Sequence, residues 1–213
     1  MLRLIYPRKC TFCEKILSRE ETDFCHHCRS TVEDFKKSKS SIPFVAHWTA
    51  LWYYKDNVRQ SIHRYKFGRR RSYAQVFGRM MAMKLSNSVA EDVDLICWAP
   101  VFWLRKHKRG YDQSELLARA LGKELSLPVL PAIKKIRSNP AQSGIQGAAQ
   151  RKANVNGVYR VRDASKIAGK RILLIDDVVT TGATASECAR ILLTAGAKEV
   201  YLAAIAASSQ DKK

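Results

Sequence analysis

No apolar run in this chain of 213 residues approaches the roughly 20 residues that a bilayer-spanning helix needs. The opening residues Met1 to Lys9 hold no apolar stretch long enough for a secretory leader, so a cytoplasmic location is the expectation. There is no internal repeat and no long low-complexity segment, which removes solenoids and global disorder from consideration. Acidic residues are scarce: 19 Asp and Glu face 38 Lys and Arg, a formal net charge of +19. That excess predicts polyanionic partners, nucleic acid or phosphorylated small molecules. Hydrophobic residues make up 46% of the chain, enough for a packed core.

The chain divides into three parts. Residues 1–35 are rich in cysteine, residues 36–41 form a polar, basic linker, and residues 42–213 alternate strand and helix patterns. Strands are expected at His47–Tyr54, Asp94–Ala99, Leu127–Leu130, Gly157–Arg162, Arg171–Asp176 and Glu199–Ala206. Helices are expected at Asn57–Phe67, Tyr73–Leu85, Asp112–Leu125 and Gly182–Ala195, with Asp112 and Glu115 placed for a capping box. The alternation predicts an α/β fold with a parallel sheet.

The sharpest signal is the run Ile172 to Thr184. An apolar strand leads into Asp176 and Asp177, then Val178, Val179, Thr180, Thr181, Gly182, Ala183 and Thr184, where a helix opens. Ligands of parallel sheets bind at this carboxyl edge. A helix N-terminus offers free amides and a positive dipole end to a phosphate. The threonine hydroxyls add donors to the same oxygens, and Gly182 permits close backbone approach. Two adjacent carboxylates suit the neighbouring hydroxyls of a ribose, directly or through hydrated magnesium. The segment is not a Walker loop, because no Gly-Lys-Ser/Thr ending is present. It resembles the phosphoribosyl-diphosphate signature of type I phosphoribosyltransferases. The resemblance implies acids on the ribose hydroxyls and a Thr/Gly loop around the 5-phosphate.

A diphosphate needs further cations. Arg105, Lys108 and Arg109 lie in a basic segment with four Lys/Arg in five residues, just after the strand that ends at Pro100. Gln142, Arg151 and Asn154 lie in the polar stretch 138–156, which reads as a long loop able to close over a ligand. Pro100, the segment Arg109-Gly110-Tyr111-Asp112-Gln113, the stretch from Gln142 to Val155 and the Asp-Asp loop resemble, in that order, the ComF/GntX family. The family's usual Arg-Gly-Phe-Asn-Gln stands here with Tyr111 and Asp112. A negative charge at position 112 argues against a direct anion contact there and leaves helix capping intact. Tyr65-Lys66-Phe67-Gly68 matches a further family stretch and brings Lys66 to the sugar-diphosphate pocket.

Cys10-x2-Cys13 and Cys25-x2-Cys28, separated by eleven residues, have the spacing of a four-thiolate zinc ribbon. Two disulfides or an iron–sulfur site are the competing readings, and a reducing compartment disfavours the first. His26 and His27 read as exposed, and Cys97 and Cys188 as buried free thiols. Cysteine knuckles ahead of a phosphoribosyltransferase-like domain are also a ComF trait. From 55 to 71 the chain carries seven Lys/Arg and one acid, interleaved with aromatics. Arg59, Arg64, Arg69, Arg70 and Arg71 are therefore candidates for single-stranded nucleic acid, although helical spacing alone also accounts for the rings.

Two functions remain open on the residues. One is a phosphoribosyltransferase that uses phosphoribosyl diphosphate and magnesium with an unidentified acceptor. The other is a catalytically silent module that binds the same ligand while its basic surface handles DNA. The resemblance implies a role in DNA uptake during natural transformation, beside a ComFA-like helicase. A metabolic phosphoribosyltransferase unrelated to competence is the remaining alternative.

Overall fold

The computed structural model describes residues 7–36, 41–86, 92–138 and 157–208. The interior of the expected linker, and the loop with Gln142, Arg151 and Asn154, lie outside these residues. In chain order the elements are α1 (His26–Thr31), β1 (His47–Tyr53), α2 (Asp56–Phe67), α3 (Tyr73–Leu85), β2 (Leu95–Trp98), α4 (Trp103–Arg109), α5 (Gln113–Leu125), β3 (Ile133–Lys135), β4 (Tyr159–Val161), β5 (Arg171–Val179), α6 (Ala183–Thr194) and β6 (Glu199–Ala207). No helix among the described residues is long and apolar enough to cross a membrane.

The main sheet has the order β1-β6-β5-β2, and all of its neighbours run parallel. β5 and β6 are central and covered on both faces, so they read as nearly continuous apolar runs rather than alternations. Alternate residues of β5 feed two cores. Leu173 and Ile175 point to α2, α3 and α5, with Tyr65, Phe77, Met81, Leu117 and Leu121. Ile172 and Leu174 point to α6 and the small β3–β4 pair, with Ile133, Tyr159, Cys188 and Leu192. Parallel strands place all their carboxyl ends on one edge, and that edge becomes the floor of the functional cleft.

Several elements differ from the sequence expectation, α1 among them because no helix was expected in the cysteine-rich segment. β5 does not stop at Asp176 but stays paired with β6 through Val178 and Val179, because two β-branched residues favour the pleated ladder. The basic segment after Pro100 is not a loop. It forms the two-turn helix α4, closed by Gly110 at φ 77°, a left-handed conformation that glycine adopts without strain. Leu127–Leu130 contributes only an isolated bridge, Val129 to Ile96. Asp112 caps α5 as expected, accepting from the amides of Ser114 and Glu115. Glu115 does not complete the box; its carboxylate pairs with Lys106 at 2.8 Å and Arg119 at 3.0 Å. The strand β3 was not anticipated at all.

The cysteine-rich segment packs directly on this domain. Phe12 stacks on Phe24 at 4.4 Å, and both meet the edge of Trp52 in β1. Beyond α1, Asp34 bridges antiparallel to Trp52, and the Phe35 amide donates to the Leu51 carbonyl. The ribbon thereby shares the core of the sheet.

Candidate functional site

A cleft of about 1060 Å³ opens at the carboxyl edge of the sheet. Its floor is the end of β5 and the start of α6; α2 forms one wall, and α4 with the start of α5 forms another. Asp176 and Asp177 both line it. Asp177 is buried and held from two sides: the Lys66 ammonium lies 2.7 Å from Oδ1 and the Gln113 amide donates to Oδ2 at 2.6 Å. The Asp177 amide in turn donates to Asp176 Oδ1 at 2.8 Å. Burial, and then the neighbouring Asp177 carboxylate, push Asp176 up to about 8, as expected for like charges side by side in a poorly solvated place. Its carboxyl oxygens can accept hydrogen bonds, and a cation bound beside them would favour loss of the proton to solvent.

Five residues along the chain, the turn from β5 into α6 forms the next part of the cleft. Gly182 sits at φ 73° and is the N-cap of α6, with no capping side chain of its own. A β-carbon there would lie 2.9 Å from Ile42, so both the backbone conformation and the space require glycine. Thr180, Gly182, Ala183 and Thr184 line the cleft together with Val178 and Val179. Thr181 turns inward, its hydroxyl accepting a long 3.4 Å contact from the Ala183 amide. The contrast with α5 is informative. There Asp112, pushed up to about 6 mainly by burial, fills the amide end with the protein's own carboxylate. At the N-terminus of α6 the long Thr181 contact is the one side-chain acceptor among the described residues, and no carboxylate plugs the dipole end.

The cations expected near a diphosphate separate into three groups. Lys66, Arg105 and Arg109 line the cleft. The Arg109 guanidinium lies over the Phe67 ring at 4.6 Å and donates to Gln113 Oε1 at 2.9 Å, and burial lowers its pKa. Lys108 is exposed on α4 and is not part of the cleft wall. Gln142 and Arg151 fall outside the described residues. Gln113 therefore links Arg109 to Asp177 through its two amide ends, a role that the capping motif around it did not reveal. Lys135 of β3 also lines the cleft; it escaped sequence reading because its strand is only three residues long.

The nucleic-acid candidates are equally dispersed. Arg59 is exposed on the cleft rim, and Arg69 is exposed after α2. Arg70 pairs with Glu14 at 3.0 Å. Arg71 donates to the Gly110 carbonyl and lies over the Tyr111 ring at 5.1 Å. Arg64 turns toward the ribbon and donates to the carbonyls of Thr11 and Phe12. Of the rings, Tyr65 is fully buried while Phe67 is 56% exposed. Helical spacing thus accounts for Tyr65, and the exposed Phe67 ring already packs against His63 at 4.8 Å and under Arg109 at 4.6 Å.

Cys10, Cys13, Cys25 and Cys28 bring their sulfur atoms within 4.8 Å of one another, with Cys13 and Cys25 3.6 Å apart. A tetrahedron built on zinc–sulfur bonds of about 2.3 Å has edges of about 3.8 Å, so the four thiolates fit a structural zinc ion. None is in a disulfide. The Cys25 amide donates to Cys10 Sγ at 3.4 Å, and Asn57 of α2 reaches Cys28 Sγ at 3.8 Å, contacts that favour thiolate charge. His26 and His27 are exposed, and Cys97 and Cys188 are fully buried.

A family model described as phosphoribosyl transferase domain matches residues 108–213, and one described as double zinc ribbon domain matches residues 1–39. Competence protein F of Haemophilus influenzae is 23% identical over 202 residues, covering 91% of this chain and 87% of that protein. DNA utilization protein YhgH of Escherichia coli is 32% identical over 147 residues; the match takes in 66% of this chain and 63% of that protein's length. Competence protein ComFC of Streptococcus pneumoniae is 26% identical over 196 residues, covering 90% of this chain and 84% of that protein. Among solved structures, glutamine phosphoribosylpyrophosphate amidotransferase from B. subtilis aligns over 67% of this chain and 30% of that chain, at 20% identity and a TM-score of 0.46.

Proposed function

For a chain that joins an N-terminal double zinc ribbon to a phosphoribosyl transferase domain, and is homologous to proteins named competence protein F, ComFC and YhgH, we propose a phosphoribosyltransferase-type protein that binds phosphoribosyl diphosphate with magnesium. Its biological setting is DNA uptake, where it handles single-stranded DNA. The observation that carries the ligand reading is the adjacency of two features in one cleft. The carboxylates Asp176 and Asp177 stand next to the N-terminus of α6, which no carboxylate plugs. Carboxylates accept from a sugar diol and helix amides donate to a phosphate, so the pair specifies a ribose 5-phosphate group.

The roles follow from position. Asp176 and Asp177 hold the ribose hydroxyls, directly or through the hydration shell of magnesium. Thr180, Thr184 and the first amides of α6 surround the 5-phosphate. Arg105, Arg109 and Lys66 face the diphosphate; binding then draws Lys66 from Asp177 toward the ligand. Magnesium, where bound with the ligand beside Asp176 and Asp177, would supply charge neutralisation for the diphosphate. The protein positions C1 of the ribose for attack and stabilises the leaving group electrostatically. The printed names of the relatives support the DNA setting, and the exposed Arg59 and Arg69 offer cations near the cleft.

Titration calorimetry with phosphoribosyl diphosphate and magnesium tests the ligand reading. The expected result is one site per chain and a loss of at least a hundredfold in affinity when Asp176→Asn and Asp177→Asn are combined. Folded, zinc-replete protein that ignores the ligand overturns it. Release of diphosphate with candidate acceptors, including single-stranded DNA, then separates turnover from binding alone.

A further inference from the structure

Lys135 stands opposite Tyr159 in the β3–β4 ladder, with its ammonium 5.2 Å above the Tyr159 ring. Tyr159 is buried, and its hydroxyl shares a hydrogen bond with Thr184 in the first turn of α6. Lys135 is half-buried and lines the cleft. Among the described residues no carboxylate forms an ion pair with it. The charged and titratable groups around it are Arg105 from α4, Cys188 from α6, Asp176 from β5 and Asp112 at the start of α5. Burial, and then Arg105, lower the Lys135 pKa to about 8.

This is an unfavourable arrangement for a folded protein alone. A half-buried ammonium beside a second cation, with the Tyr159 ring but no carboxylate in ion-pair contact among the described residues, is only partly compensated. An anion in the cleft would complete it. Contacts with Thr184 through Tyr159, and proximity to Cys188 one turn further on, place the ammonium beside the mouth of α6. The other cleft cations, Lys66 and Arg109, gather instead around Asp177 and Gln113. Arg105 neighbours both Lys135 and Arg109, so what sets Lys135 apart is its seat on the Tyr159 ring, whose hydroxyl meets Thr184 of α6.

We propose that Lys135 is the cation that binds the terminal phosphate of the sugar phosphate, opposite the amides of α6, and so makes the cleft select phosphorylated over unphosphorylated sugars. The assignment rests on the ligand reading given above and adds a residue to it. A neutral hydroxymethyl end leaves the Lys135 charge only partly compensated, whereas a phosphate dianion satisfies it together with the helix amides.

The experiment uses the full chain with zinc bound and three probes: phosphoribosyl diphosphate, ribose 5-phosphate, and inorganic diphosphate with magnesium. Each is titrated into wild type, Lys135→Met and Lys135→Arg. Lys135→Met is expected to lose at least tenfold in affinity for ribose 5-phosphate and to stay within twofold for diphosphate. Lys135→Arg is expected to recover most of the loss. Thermal unfolding without ligand is expected to show the Met variant at least as stable as wild type, since a similar-sized apolar chain relieves the burial of charge. Unchanged ribose 5-phosphate affinity in Lys135→Met overturns the assignment. An equal or larger loss for diphosphate also overturns it, because the lysine then serves the other end. Wild type that binds none of the probes overturns the ligand reading itself, a result distinguishable from a selective failure of Lys135. Should the Met variant not fold, the Arg variant alone decides: it must retain ribose 5-phosphate affinity within about tenfold while charge reversal by Lys135→Glu abolishes it.

Discussion

At the scale of single residues, the pair Asp176 and Asp177 carries opposite environments one peptide apart. Asp177 has a lysine and an amide as partners, whereas Asp176 is crowded without a cation in contact and is pushed up to about 8. The sign of its effect on stability follows. Below the ordinary aspartate pKa of about 4 both folded and unfolded chains hold the proton, and the residue has no effect. Between there and pH 8 the unfolded chain ionises first, so the folded state loses stability as pH rises. Asp176→Asn keeps the oxygen that accepts from the Asp177 amide and removes the charge. The variant is expected to match wild type near pH 4 and to exceed it by about 2–4 kcal/mol at pH 8, allowing for water in the cleft. Denaturant unfolding across that range measures it, and a constant difference at all pH values counts against the cause given. The loop around these acids was legible in the sequence as a strand running through paired acids and threonines into a glycine that opens a helix, and the structure places it at the cleft with Gly182 at φ 73°. Lys135 and Gln113 were not legible, because their importance comes from what the fold places opposite them.

Among the elements, α2 does the most joining. Ser61 donates to the Thr11 carbonyl at 2.7 Å, and Arg64 grips the carbonyls of Thr11 and Phe12 in the first cysteine knuckle. Two residues later the same helix presents Lys66 to Asp177. Tyr65 between them is anchored by its hydroxyl to the Gln113 carbonyl at 2.6 Å. The cysteine knuckle and the cleft therefore lie against two faces of one helix. Arg64→Met is expected to keep one zinc per chain, to lower stability by about 2–3 kcal/mol through the lost charged hydrogen bonds, and to weaken phosphoribosyl diphosphate several-fold through Lys66. Metal analysis, unfolding and titration on one preparation check all three, and an unchanged ligand affinity breaks the link from knuckle to cleft. Sequence periodicity located α2, α3, α5 and α6 well, since each buries an apolar stripe. It missed α4 because that helix has no buried residue; with no apolar stripe there is no period to detect.

Taken whole, the molecule is strongly basic, with a formal net charge of +19. The structure shows how unevenly that charge is available. Lys55, Lys106, Arg70, Arg79 and Arg119 are engaged with carboxylates, while Arg64 and Arg71 serve carbonyls. Composition alone could not make this distinction, although it did indicate polyanions. Binding of single-stranded DNA is expected to weaken steeply with salt, with a log–log slope of about −2 to −4 for three to five phosphate contacts. Arg59→Ala with Arg69→Ala is expected to make that slope shallower by about one to two units. Fluorescence anisotropy at several salt concentrations reads it out, and a slope near zero removes the nucleic-acid face.

Because every strand of the main sheet points the same way, the molecule has a cleft-bearing rim and an opposite one. The opposite rim carries the tight turn at Gly169, open in space but held at φ 69°, so an attachment there calls for insertion beside the glycine and not its replacement. A tether, a dye or a fused domain joined there would leave the ligand end undisturbed.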